Sequence, residues 1–270
     1  MATWNDGVAA LATTSQPHPV QPTRWLPGVR RVPIVITGAS GAGKTEVWRR
    51  LTGKQAPDVA SRRVDEGYLF PGWRRTRVAV TTIPGQLSRE RYNDLRFYFG
   101  AAGRLDGVVF VASFGFDRVW PHDTDLVASD LPQLTLDALR QRNVDRELAS
   151  FRETCDRLRQ RNFADRRLPA PWLLVLVNKA DLFYSALSNA ARYYTPGSQS
   201  PFEREAARLR QDLGDAAGFR YQVVPASLRP GEYRLSSSRG TVEAACQIGQ
   251  ERANSSIAFV IETVKELSSG

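Results

Sequence analysis

The stretch GASGAGKT, Gly38 to Thr45, follows directly on the apolar run VPIVIT. A β-branched run of that length predicts a buried strand, and a glycine-rich octapeptide ending in Lys-Thr predicts a tight turn into a helix. The chain must therefore accommodate a strand–loop–helix unit. In Gly38-x-x-x-x-Gly43-Lys44-Thr45 the glycines let successive N–H groups point inward, with Ser40, Gly41 and Ala42 between them. At a helix N-terminus those groups can cradle a β-phosphate. Lys44 can bridge β- and γ-phosphates, and the Thr45 hydroxyl can ligate Mg²⁺. Read alone, the pattern also describes a glycine-rich turn with no ligand.

Downstream, apolar runs of strand length alternate with amphipathic segments. After KTEVWRRLT come two strands, RRVDEGYLF and RRTRVAVTT, and the segment SRERYNDLRFYFGAA. LDGVVFVASF, DRELASFRETCDRLRQ, WLLVLVN, SPFEREAARLRQDLG, RYQVVPAS and ANSSIAFVIETVKEL complete the order. It predicts an α/β fold: a doubly wound, mostly parallel six-stranded sheet flanked by helices. GVVFVAS and WLLVLV, apolar throughout, fit strands covered on both faces. Residues 1–30, rich in Pro, Thr and Gln without periodicity, read as a flexible N-terminal tail, and 31–270 as one domain. Two stretches, near 120–144 and 228–249, exceed ordinary connections and read as insertions.

A second motif, NKAD, Asn178 to Asp181, follows WLLVLV. An Asp carboxylate accepts two hydrogen bonds from the N1–H and exocyclic amine of guanine, whereas adenine presents an acceptor there and lacks that amine. Asp181 therefore selects guanine, Asn178 braces the loop, and Lys179 lies along the purine face. After the next strand, VPAS supplies Ala226 and Ser227 as backbone N–H candidates for guanine O6. An isolated N-K-x-D can also be a polar loop at a strand end. An ATP-driven motor or kinase is disfavoured, because NKAD has no role in one.

With these motifs the sequence resembles the P-loop GTPase superfamily, and within it the Ras-like, Arf-like and G-protein α-subunit group. The resemblance spans about Arg31 to Ser227. It is carried by GASGAGKT and NKAD and supported by IPGQ, Ile83 to Gln86, where members usually have Asp-x-x-Gly-Gln. GVVFVASFGFDRV is similar to the corresponding strand and loop of α-subunits. The resemblance implies GTP/GDP and Mg²⁺ as ligands, slow hydrolysis, and two conformations read by protein partners. It makes Gly85 the reader of the γ-phosphate and Gln86 the catalytic glutamine that orients water. Loss of the γ-phosphate would release Pro84 to Tyr92 and about Gln55 to Arg63.

Three positions depart from the pattern. Thr82 stands where members have the Asp that holds Mg²⁺ through water, which predicts weak metal affinity and slow turnover; Asp58, Asp65 or Glu66 can compensate. The Thr of the first switch has no certain counterpart: Ser61 is the metal-ligand candidate and Thr52 the weaker one. Ser40 replaces a glycine of Ras-like members and crowds the entry of a partner's arginine; Arg62 or Arg63 could serve from within the chain, or be solvated charges.

The net charge of +9 ordinarily suggests nucleic acid or an anionic surface. All but four of the 37 basic residues are Arg, spread along the chain, which fits composition as well as function. The densest patch, at Arg74, Arg75 and Arg77, leaves an anionic surface as a minor partner. Two cysteines make no disulfide framework, the first residues have no secretory pattern, and no apolar run reaches 18 residues. A cytoplasmic setting without a transmembrane segment follows. The expected function is a GTP-binding molecular switch that hydrolyses GTP slowly to control a protein effector or complex subunit, with no small-molecule substrate besides the nucleotide. The alternative is a GTP-sensing regulatory or assembly subunit with little hydrolysis.

Overall fold

In the computed structural model, β1 (Arg30–Gly38) runs parallel both to β3 (Thr76–Thr82) and to β4 (Gly107–Ala112), pairing Ile36 with Thr82 on one side and Val109 on the other. The structure describes residues 30–54, 65–69, 76–85, 89–100, 104–165, 168–213 and 218–269. Beyond β4 lie β5 (Trp172–Val177) and β6 (Tyr221–Pro225), also parallel, and β2 (Asp65–Leu69) adds an antiparallel edge on β3. The six-stranded order is β2-β3-β1-β4-β5-β6. This is the expected mostly parallel sheet. Its order reverses between β1 and β4, the place where open α/β sheets leave a crevice at their carboxyl ends.

Alternation along each strand sends side chains to two cores, one per face. Ile34 and Ile36 of β1 and Leu174 and Leu176 of β5 pack with Val47, Trp48 and Leu51 of α1 (Lys44–Thr52) and Val260 and Val264 of α7 (Gln250–Ser269). Val35, Phe110, Leu173 and Val175 face the other side. There they meet Leu95 of α2 (Arg89–Tyr98), Phe151 of α4 (Leu136–Ala164), Tyr194 of α5 (Leu187–Tyr194) and Phe202 of α6 (Pro201–Leu213). The Phe151 and Phe202 rings stack at 3.8 Å, fastening α4 to α6.

The structure adds to or shifts the expected elements at α4, at α5 and within the stretches 120–144 and 228–249. α4 begins at Leu136 rather than near Asp145, because Thr135 caps it by accepting from the Ala138 N–H at 3.2 Å. α5 has no counterpart in the expected order. The stretch 228–249 contains an antiparallel hairpin of β7 (Tyr233–Ser237) and β8 (Gly240–Ala244), and 120–144 contains a 3₁₀ turn at Pro121–Asp123 and α3 (Thr124–Ser129). The tail, residues 1–29, lies outside the described residues.

Candidate functional site

The glycine loop leaves β1 at the point where the strand order reverses. Gly38 has φ 137° and lies so close to β4 that a Cβ would stand 2.3 Å from the Val111 carbonyl oxygen. Gly41 (φ 84°) and Gly43 (φ 104°) adopt the left-handed region that glycine enters without strain. A Cβ on Gly41 would meet the Arg118 carbonyl oxygen at 2.2 Å, and one on Gly43 the Asn178 amide nitrogen at 2.3 Å. Each glycine is thus a place where another piece of the fold touches the loop. Gly43 is also the N-cap of α1, so the loop runs into a helix N-terminus.

Lys44, 7% exposed, turns its Nζ back to donate to the Gly38 carbonyl at 3.1 Å and the Ala39 carbonyl at 2.7 Å. Gly85 lies against that ammonium: a Cβ on it would come within 2.3 Å of Lys44 Nζ and 2.7 Å of the Ser40 nitrogen. Thr45 is half-buried in the first turn of α1. Ser40 Oγ accepts a long hydrogen bond, 3.4 Å, from Trp120 Nε1.

NKAD holds the loop from β5. Asn178 Nδ2 donates to the Ala42 carbonyl at 3.0 Å, and Lys179 Nζ donates to the Gly41 carbonyl at 2.9 Å and to Phe116. Lys179 itself has φ 62°, a left-handed conformation rare for a side-chain-bearing residue and characteristic of functional sites. Burial lowers its ammonium pKa to about 8, against the opposing pull of Asp117. Asp181, 1% exposed, accepts from Ser227 Oγ at 2.6 Å through Oδ1 and from the Gly231 N–H at 3.1 Å through Oδ2. Gln247 braces the same loop, donating to the Asp181 and Leu182 carbonyls and accepting from the Ser185 N–H.

The N–H groups expected for a purine O6 are engaged elsewhere. Ala226 donates to the Val177 carbonyl at 2.9 Å, and Ser227 to Ser256 Oγ at 3.2 Å. The next N–H, on Leu228, makes only a 3.4 Å contact with Asn178 Oδ1. Ala226 is engaged because the pairing of β6 with β5 runs on past Pro225. Thr52 is likewise placed away from the loop: its hydroxyl donates to the Trp48 carbonyl at 2.8 Å at the far end of α1, roughly 10 Å from Thr45 along the axis. Ser61, Gln86, Asp58, Arg62, Arg63, Arg74 and Arg75 lie outside the described residues, as do the side chains of Asp65, Glu66 and Arg77.

Thr82, at the end of β3, is buried, and its Oγ1 has no hydrogen-bond partner among the described residues. The described side chains contain no cluster of three or more His, Cys, Asp or Glu suited to a metal. Among the described side chains, what the fold offers a cation near the loop is neutral, Thr45 and Thr82 hydroxyls, whereas for an anion it offers loop N–H groups, a helix N-terminus and an ammonium. A phosphate chain fits this cradle; Mg²⁺ fits as a companion of phosphate oxygens rather than as an ion caged by protein.

A strand–loop–helix with these glycines, NKAD pinned onto the loop from β5, and the β2-β3-β1-β4-β5-β6 order together define the fold. The architecture is the expected doubly wound, mostly parallel α/β sheet, with the glycine loop at the point where its strand order reverses. No protein-family model and no curated protein matches the chain in sequence. Similar solved structures include the FeoB G-domain from Methanococcus jannaschii, at 14% identity and TM-score 0.42, covering 90% of this chain and all of that one. S. thermophilus NFeoB bound to GDP·AlF₄⁻ is similar at 13% identity and TM-score 0.40 over 73% of this chain and 57% of that one. A bacterial selenocysteine-specific elongation factor, EF-Sec, is similar at 14% and 0.47 over 88% of this chain, which spans 29% of the factor. Likenesses this low in identity and TM-score assign no activity. Among the described residues no helix is long and apolar enough to cross a membrane.

Proposed function

We propose that the chain binds guanine nucleotides and works as a molecular switch, hydrolysing GTP slowly to control a protein partner. The observation that carries this reading is that the phosphate-type loop and NKAD are one hydrogen-bonded unit, through Asn178 to Ala42 and Lys179 to Gly41. A loop tied to a guanine-type motif has a use when one ligand spans both. Lys44 and the N–H groups of Ser40 to Thr45 hold the phosphates, Lys179 lies along the base, and Asp181 takes the guanine N–H donors. Leu228 replaces Ala226 as the N–H donor for O6. Gly85 approaches the terminal phosphate, and Gln86 orients the water. Thr45 would hold a Mg²⁺ ion together with the phosphates, and the ion would supply charge neutralisation at the transferred group.

In calorimetry GTP should bind at least two orders of magnitude more tightly than ATP, roughly 2.7 kcal/mol. Asp181→Asn should move that preference toward xanthine nucleotides. Equal affinities for GTP and ATP would overturn guanine recognition.

Thr82 favours a second reading, a GTP sensor or assembly subunit with little turnover. A buried neutral hydroxyl, without a partner among the described residues, stands where a charge would orient metal-bound water. Single-turnover hydrolysis separates the two: a switch turns over on some timescale, and Thr82→Asp speeds it; a sensor keeps GTP intact in both forms.

A further inference from the structure

The acceptors that base recognition needs are filled by this chain's own donors. Asp181 gives Oδ1 to the Ser227 hydroxyl and Oδ2 to the Gly231 N–H, and only 1% of the residue is exposed. On the other side of the same turn, the Leu228 N–H rests on Asn178 Oδ1 at 3.4 Å. The two bonds differ in what holds them. Ser227 is anchored at its N–H by Ser256 of α7 and is buried, and Leu228 is buried in the α1/α7 core, so this end of the turn is fixed. Gly231 and its neighbours Arg229 and Glu232 are exposed. At Tyr233 the chain is fixed again, its side chain buried and its hydroxyl donating to the Asp117 carbonyl at 3.2 Å.

From this geometry we infer that Arg229–Glu232 is a gate over the base-recognition carboxylate, with the Gly231 N–H standing in for a base N–H. The inference rests on the guanine reading of Asp181. A charge-assisted N–H to a carboxylate imitates the contact a purine N–H makes, so nucleotide binding and gate closure compete for Oδ2. The gate is short, glycine is one of its four residues, and it lies between two buried hinge points. Ser227 stays in place because its hydroxyl takes the other oxygen. The gate sets the rate of base entry, and only a base with a donor at that position repays the bond that opening breaks. The 2-amine of guanine is such a donor, and hypoxanthine lacks it.

The test uses the full chain, with mant-GDP binding by stopped flow and GDP, IDP and ADP competition. Gly231→Pro deletes the N–H, whereas Gly231→Ala keeps it, and a Cβ on Gly231 would have nothing within 4 Å. Gly231→Pro should raise the association rate and affinity for GDP about tenfold, the scale of one charge-assisted hydrogen bond, and leave the GDP-over-IDP preference unchanged, since both bases break the same bond on entry. Gly231→Ala should restore wild-type constants. Unchanged or weaker GDP binding by a folded Gly231→Pro overturns the gate, because the N–H is then irrelevant or positions Asp181 for the base. If Gly231→Pro fails to fold, hydrogen exchange decides on the wild type: the Gly231 amide should lose protection when GDP is added, and retained or increased protection overturns the inference. Binding of no nucleotide by wild type or variant overturns the guanine reading as well, whereas GDP binding with identical constants overturns the gate alone.

Discussion

At the scale of single residues, the least expected feature is a pair of carboxylates sharing one hydroxyl. Ser113 Oγ lies 2.8 Å from Asp117 Oδ1 and 3.0 Å from Glu147 Oε1, yet a hydroxyl has one proton to give. The pair satisfies both contacts when one carboxyl is protonated and donates to Ser113, which then donates to the other. Glu147 Oε1 already accepts from the Ser113 and Gly115 N–H groups, and Oε2 from the Tyr194 hydroxyl at 2.7 Å. Burial raises the pKa of Glu147 to about 7, with Asp117 adding to the rise; burial also raises Asp117, against Lys179. A folded value above the unfolded 4.5 means the native protein binds the extra proton, so stability is full below about 4.5 and lost as pH rises through about 7. Thermal melts of wild type should show this loss between pH 5 and 7.5, on the order of 1 to 3 kcal/mol. Glu147→Gln, which keeps the acceptor for Ser113 and Gly115, should flatten it; the same slope in both proteins would remove Glu147 as the cause. None of this was legible in DRELASF, where a charge on an amphipathic helix reads as solvent-facing. The loop and NKAD were legible because their residue types are fixed by backbone geometry and charge. That the Ala226 and Ser227 N–H groups are engaged within the protein was not, because it depends on how far the β5–β6 pairing continues and on where α7 packs.

At the scale of elements, the strands that read most clearly are those buried on both faces. GVVFVA and WLLVLV have no polar side to confuse their pattern, and every residue of β4 and β5 is buried. Gly107 shows what the register adds. It pairs with Trp172, and a Cβ built on it would stand 2.0 Å from the indole ring. The ring is rigid and 3% exposed, so it has no free space to move into. Gly107→Ala should cost about 1 to 3 kcal/mol, the range of overpacked cores, with the melting temperature lowered. A melt unchanged from wild type would mean the indole turns aside freely. The hairpin was illegible for the converse reason: YRLSS and GTVEA bury only Tyr233, Leu235 and Val242. Its turn at Ser238–Arg239 also has no Asn-Gly signal, and a pattern this sparse fits a loop equally well.

At the scale of the whole molecule, the two long connections between sheet elements fasten to each other and to the site. Arg239, in the hairpin turn, donates to the Ala128, Leu131 and Pro132 carbonyls at the end of α3, and the Ser238 N–H donates to Asp125 at 2.7 Å, holding that carboxyl below its ordinary pKa. The segment leading into the hairpin reaches Asp181 through Gly231, and Tyr233 reaches Asp117, while the stretch before α3 reaches the glycine loop, the Arg118 N–H donating to the Gly41 carbonyl at 3.0 Å. A bridge of this kind gives NKAD and the glycine loop a common support outside the sheet. Arg239 is its central tie, because one guanidinium reaches three carbonyls at the end of α3 and its following turn, of which Ala128 also accepts from the Leu131 N–H. Arg239→Ala should therefore cost about 1 kcal/mol globally, since the residue is exposed and water can reach the freed carbonyls. Its local effect should be larger. Amide exchange should speed up across 124–134 and 233–244, while β1, β4 and β5, buried in both cores, keep their protection. Uniform acceleration including β1 would mean that the bridge is part of one cooperative unit with the sheet, and no acceleration at 124–134 would mean that Arg239 does not hold α3 in solution.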